Sequence, residues 1–102
     1  MCIIIHMLRI VQSDTFSSWL EKLGDEKAAL RIVVRIRRMA LGNAGDVKSV
    51  GEGVSEMRID YGPGYRVYFT RRGTAVIILL CGGDKKSQSR DIRTAQRMAK
   101  EI

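Results

Sequence analysis

Between Gly42 and Gly53 the spacing of apolar residues changes from three or four to two, so the first part of the chain reads as helices and the second as a sheet. Before the change, Phe16, Trp19, Leu20 and Leu23 fall on one helical face, with Ser13 or Asp14 as N-cap and Gly24 as stop. Asp25 caps a second helix in which Ala29, Ile32, Val33, Ile36, Met39 and Ala40 form the apolar stripe and Arg31, Arg35 and Arg38 the opposite side. The two make a helical hairpin, preceded by a short strand at Leu8 to Val11.

After the change, Met57 and Ile59 point one way while Glu56, Arg58 and Asp60 point the other. Tyr61-Gly62-Pro63-Gly64 reverses the chain, and Tyr65 to Thr70 returns with Val67 and Phe69 on the core side. Ala75 to Cys81 is a continuous apolar run, which predicts a central strand covered on both faces. Gly82-Gly83 is expected to stop it, with a final helix from Asp84 whose stripe is Ile92, Ala95, Met98 and Ala99. A further short strand is expected around Asp46 to Val50. The order of strand, two helices, antiparallel meander and C-terminal helix makes the class α+β.

A length of 102 residues fits one domain spanning 1–102, because half that length cannot build a sufficient core. Residues 1–6 read as a ragged extension, and Met7 is a second possible start beside Met1. No apolar run is long enough to cross a bilayer and the N-terminus lacks a secretory signal, so a soluble, cytoplasmic protein is expected. Two cysteines and one histidine match no recognised ligand spacing, so neither a metal site nor a cofactor is expected. The balance of 18 Lys and Arg against 11 Asp and Glu, net +7, favours polyanionic partners.

Alternation along the hairpin places Glu56, Arg58, Arg66 and Tyr68 on one expected outward face. Two arginines on adjacent strands can grip a phosphodiester from two sides through their forked donors. Lys85 is expected to join them from the glycine turn and Lys48 from the other edge, with Lys86 and Arg90 continuing the basic surface along a helical stripe through Arg93, Arg97 and Lys100. The plain alternative is a solvated sheet face whose charges pair for solubility. Gly82-Gly83-Asp84-Lys85 lacks the spacing of a nucleotide-binding loop and reads as a connection.

Gly42 to Phe69 and Leu79 to Lys86, most specifically Gly64-Tyr65-Arg66-Val67-Tyr68-Phe69 and Leu79-Leu80-Cys81-Gly82-Gly83-Asp84-Lys85, together with Phe16-Ser17-Ser18-Trp19-Leu20 and Arg31 to Ile36, resemble the addiction-module killer proteins, a HigB-like branch of the RelE/ParE toxin superfamily. The resemblance runs from Met7 nearly to the end of the chain. It implies a RelE-like fold, with an N-terminal helical hairpin on a twisted antiparallel sheet, and a toxin neutralised by a helix-turn-helix antitoxin. It further implies a metal-independent endoribonuclease that cuts mRNA on the ribosome. Arg66 and Arg58 then stand where relatives carry phosphate-binding basic residues, and Lys85 matches the basic residue after the glycine turn. On this reading Glu56 is the candidate base and Lys85 the candidate acid, with Tyr68 beside them. Relatives that use a tyrosine or histidine near the final helix differ here, where Arg90, Asp91 and Ile92 stand instead. A ParE-like toxin that binds DNA gyrase without catalysis, or an inactive mobile-element remnant, are the alternatives.

Overall fold

Phe16 and Ile32 on the two expected helices are both fully buried, and what they are buried against is one face of a five-stranded sheet. A computed structural model describes residues 7–102. The expected extension at residues 1–6 lies outside the described residues. In chain order the elements are β1 (Arg9–Gln12), α1 (Asp14–Glu21), α2 (Glu26–Ala40), β2 (Val47–Ser49), β3 (Val54–Ile59), β4 (Tyr65–Arg72), β5 (Val76–Gly83) and α3 (Gln88–Glu101). Both expected caps form: the Ser13 hydroxyl accepts from the Phe16 amide at 3.0 Å, and the Asp25 carboxylate from the Ala28 amide at 3.1 Å. No helix among these residues is long and apolar enough to cross a membrane.

The sheet order is β1-β5-β4-β3-β2. The meander β3-β4-β5 is as expected, and the α+β class holds. The sheet is mixed, however, because β1 lies parallel to β5, with Arg9 opposite Val76. The α1–α2 crossover carries the chain far enough to allow that parallel return, which local spacing does not reveal. Between β4 and β5 the register shifts: Tyr68 faces Cys81 and Phe69 faces Leu79, leaving Leu80 as an extra residue. Its carbonyl is taken by the Ser13 hydroxyl at 2.6 Å, which ties the start of α1 to the bulge.

Alternation divides the sheet into two cores. On the α1/α2 side, Met57, Ile59, Val67, Phe69, Ile77 and Leu79 pack with Phe16, Ile32, Ile36 and Met39. On the other, α3 brings Ala95, with Ile92, Met98 and Ala99, against Val54, Tyr68, Leu80 and Cys81. The bulge puts both Leu80 and Cys81 on this second side. Two stripe assignments change: Ala28 is buried on α2 whereas Val33 is 40 % exposed. Arg35, expected in solvent, bonds the carbonyls of Arg58 and Ala44 and so fastens α2 to the β2–β3 region.

The glycine pair does not stop β5, which runs through Gly83. A Cβ on Gly82 would lie 2.3 Å from the Trp19 ring, and one on Gly83 only 1.8 Å from Asp91 Oδ2. These glycines are needed because α1 and α3 close on the strand end from opposite sides. Nor does helix begin at Asp84. Its carboxylate instead accepts from the Lys86 and Ser87 amides, forming a turn that delays α3 to Gln88.

Candidate functional site

Antiparallel pairing sets Lys48, Glu56 and Tyr68 in one row across β2, β3 and β4, and Arg58, Arg66 and Gly83 in the next across β3, β4 and β5. Two arginines directly opposite each other repel. Here Glu56, two residues along β3 on the same face, lies between them. Its Oε1 accepts from Arg58 Nε and from Arg66 Nη1, both at 3.0 Å. Its Oε2 accepts from the Tyr68 hydroxyl at 3.0 Å and from Gln88 Nε2 on the first turn of α3 at 2.9 Å.

This geometry corrects the expected outward face. Glu56 and Tyr68 are fully buried, and the Arg66 and Arg58 side chains are 12 % and 36 % exposed. The reason is α3, which covers the face that strand alternation alone assigns to solvent. A carboxylate so far from water is tolerable because every oxygen has two donors, two of them cationic.

Burial alone would raise the Glu56 pKa. The hydrogen bonds from Gln88, Arg58 and Tyr68 and the charge of Arg66 outweigh it, and the carboxyl sits below its ordinary 4.5. Burial, then the bond to Glu56 and its charge, push the Tyr68 phenol well above its ordinary 10.0, so it remains a neutral donor at physiological pH. Burial, with the charge of Asp91 behind it, lifts the neighbouring Cys81 thiol to about 12 and leaves it an inert packing group.

Each guanidinium uses one nitrogen on Glu56, and the others make no further hydrogen bond among the described residues. They are a pair of forks fixed at the base and open at the tips. Lys85 is exposed and stands against Gly64, at the turn end of the β3–β4 hairpin, where a Gly64 Cβ would be 3.6 Å from its own Cβ. Lys48 is exposed on the edge strand in register with Glu56. Lys86 and Arg90 are exposed near the start of α3, and Arg90 Nε lies 3.8 Å from Asp91 Oδ1. The sheet therefore brings Glu56, Arg58, Arg66 and Tyr68 into one bonded cluster, with the four other basic residues exposed on β2, the β5–α3 connection and α3 and none bonded to it.

Sequence reading missed Gln88, the fourth donor to Glu56. It is 32 positions away, and its only local mark is its place on the first turn after the Asp84 connection. It also missed Asp91 and Ser87, whose side chains bond each other against Gly83.

Comparison with known proteins finds a relative of matching length. An uncharacterised protein of Haemophilus influenzae is 47 % identical over 95 residues, which is 93 % of this chain and 96 % of that protein. Residues 18–100, from α1 to the end of α3, match the family described as phage-derived Gp49-like protein (DUF891). That span includes every member of the Glu56 cluster, and the chain belongs to this phage-derived Gp49-like family, a RelE-like toxin family.

Proposed function

We propose that this protein is the toxin of a type II toxin–antitoxin pair, of HigB-like type, and that it cuts mRNA on the ribosome. The observation that supports this most is the Glu56 cluster. A single buried carboxylate holds two opposed guanidiniums in place before any ligand arrives. Cations fixed in advance near developing negative charge are the largest catalytic contribution in many enzymes, because no reorganisation is needed as the reaction proceeds.

In the proposed reaction the ribose 2′-hydroxyl gives up its proton to solvent as its oxygen attacks the adjacent phosphorus, the bond to the 5′-oxygen breaks, and the products are a 2′,3′-cyclic phosphate and a 5′-hydroxyl. Arg58 and Arg66 bind the phosphate and stabilise the more negative phosphorane through their open N–H edges. Glu56 is reassigned from base to positioning residue. Its oxygens already carry four donors, and its lowered pKa makes it a poorer proton acceptor. Tyr68 and Gln88 hold Glu56 in turn. Lys85 is the proton donor to the leaving oxygen, and Lys48, Lys86 and Arg90 guide the RNA backbone. The antitoxin covers the arginine edges.

Induction of the wild type and of Arg66→Ala in a bacterial host, with 5′ ends of cellular messages mapped, tests the reading. Codon-phased cleavage that disappears in the variant supports it. Intact messages accompanied by growth arrest and DNA damage would sink it and point to gyrase. Intact messages and normal growth would indicate an inactive protein.

A further inference from the structure

Leu30, Val33 and Val34 on α2 are 64 %, 40 % and 38 % exposed, although the same helix already buries Ala28, Ile32, Ile36 and Met39 against the sheet. One buried stripe is all that packing on the sheet requires, so this second apolar strip is left for something outside the core.

A groove of about 540 Å³ runs beside it. Lys27, Leu30, Arg31, Val34, Arg35 and Arg38 form one wall, at steps of three and four that keep them on one face over about 17 Å of helix. Ile59, at the end of β3, and Asp60 just after it supply the other. The charges are one-sided, with four cations against a single carboxylate. Arg35 is engaged with the carbonyls of Arg58 and Ala44, and Arg31 lies over the Tyr61 ring at 4.6 Å from its centre. Lys27, Arg31 and Arg38 take part in no ion pair among the described residues.

We propose that this groove docks an acidic amphipathic helix of a protein partner, its apolar stripe on Leu30 and Val34 and its carboxylates toward Lys27, Arg31 and Arg38. A groove with apolar contacts at helical spacing and a rim of one charge suits a helix with an apolar stripe and the opposite charge beside it. A second copy of this chain fits poorly, because a twofold contact would set the same cations against each other. RNA also fits less well than protein. The apolar strip offers nothing to a phosphate backbone, and Tyr61, the ring nearby, already carries Arg31 over its face where a base would stack.

The helix α2 packs on the sheet face opposite the Glu56 cluster, so an occupied groove leaves the Arg58 and Arg66 edges open. Docking there is independent of message cleavage, and each can fail without the other.

The probe is a synthetic helical peptide of about 18 residues, with leucine at every third or fourth position and glutamate and alanine between, long enough to span the groove. Titrated into the full chain at low salt, it is expected to bind with a Kd of roughly 10 μM or tighter and to shift the amide resonances of Leu30, Val34 and Asp60. Leu30→Glu, at an exposed position, should weaken binding at least about tenfold, and so should exchange of the peptide's glutamates for lysines. Absence of binding, equal affinity for the lysine peptide, or shifts confined to the α3 side would each overturn the proposal. So would sedimentation of the unliganded chain as a dimer that Leu30→Glu dissociates, which assigns the groove to a second copy. Displacement of the peptide by oligouridylate, with shifts at the same three amides, would overturn it in favour of RNA. Peptide binding without message cleavage would sustain the groove and remove the nuclease, and cleavage without peptide binding would do the reverse.

Discussion

On the α1/α2 side of the sheet, Met57, Val67, Phe69 and Leu79 meet Phe16, Ile32 and Met39, and that core cluster is wholly apolar. On the α3 side, the apolar patch of Val54, Leu80 and Ala95 borders directly on Glu56, Tyr68 and Arg66. The same strands supply both faces from alternate positions. The first is held by volume, which many apolar combinations satisfy. The second is held by a carboxylate whose every donor must be present, so it fixes geometry as well as burying surface. This difference is the reason the proposed function is assigned to the second face, since apolar packing alone does not require opposed arginines.

The largest expected effect breaks the first face. Phe69→Ala, at a residue 2 % exposed, should cost about 3–5 kcal/mol in urea unfolding, by roughly the same amount at pH 7 and pH 4. Glu56→Gln is the matching test of the second. One amide oxygen must then serve four donors, and the expected loss at pH 7 is about 3 kcal/mol, the low end for a broken buried pair because Arg58 retains solvent access. Here the sign of the pH dependence separates the faces. Glu56 has a lowered pKa when folded, so the unfolded chain binds the proton more readily and the stabilisation is present above 4.5. It is lost as pH falls through the folded value. The gap between wild type and Glu56→Gln should therefore narrow below pH 4.5, while the Phe69→Ala gap stays roughly constant.

Gly83→Ala tests how tightly α3 is seated. Its Cβ would overlap Asp91, and an overpacking loss of about 1–3 kcal/mol in thermal unfolding is expected. Smallest is Lys85→Ala, at an exposed site, with a stability change within about 0.5 kcal/mol and a reduced cleavage rate. A large stability change at Lys85 would show that it supports the fold instead.

Local spacing revealed most of the architecture because helix and strand periods are written into neighbouring residues. Ser13 and Asp25 announce their helices, and Met57 and Ile59 disclose which side of β3 is inner. It also brought Arg58 opposite Arg66, since the Tyr61–Gly64 turn fixes that register. What it misjudged depends on distant partners. Glu56 looks like a solvent-facing charge until Gln88 and α3 arrive from 32 residues away. Gly82 and Gly83 look like a stop until Trp19 and Asp91 are seen pressed against them. The parallel β1–β5 pair likewise joins residues some 67 positions apart, as Arg9 and Val76 illustrate.

The claim that the Glu56-anchored arginines act on RNA is tested most directly by cleavage of a defined message on purified programmed ribosomes, with Arg66→Ala compared against wild type. Loss of about a hundredfold or more in cleavage rate, in a variant whose melting curve shows it folded, is the predicted result. Cleavage by Arg66→Ala at the wild-type rate would contradict the account.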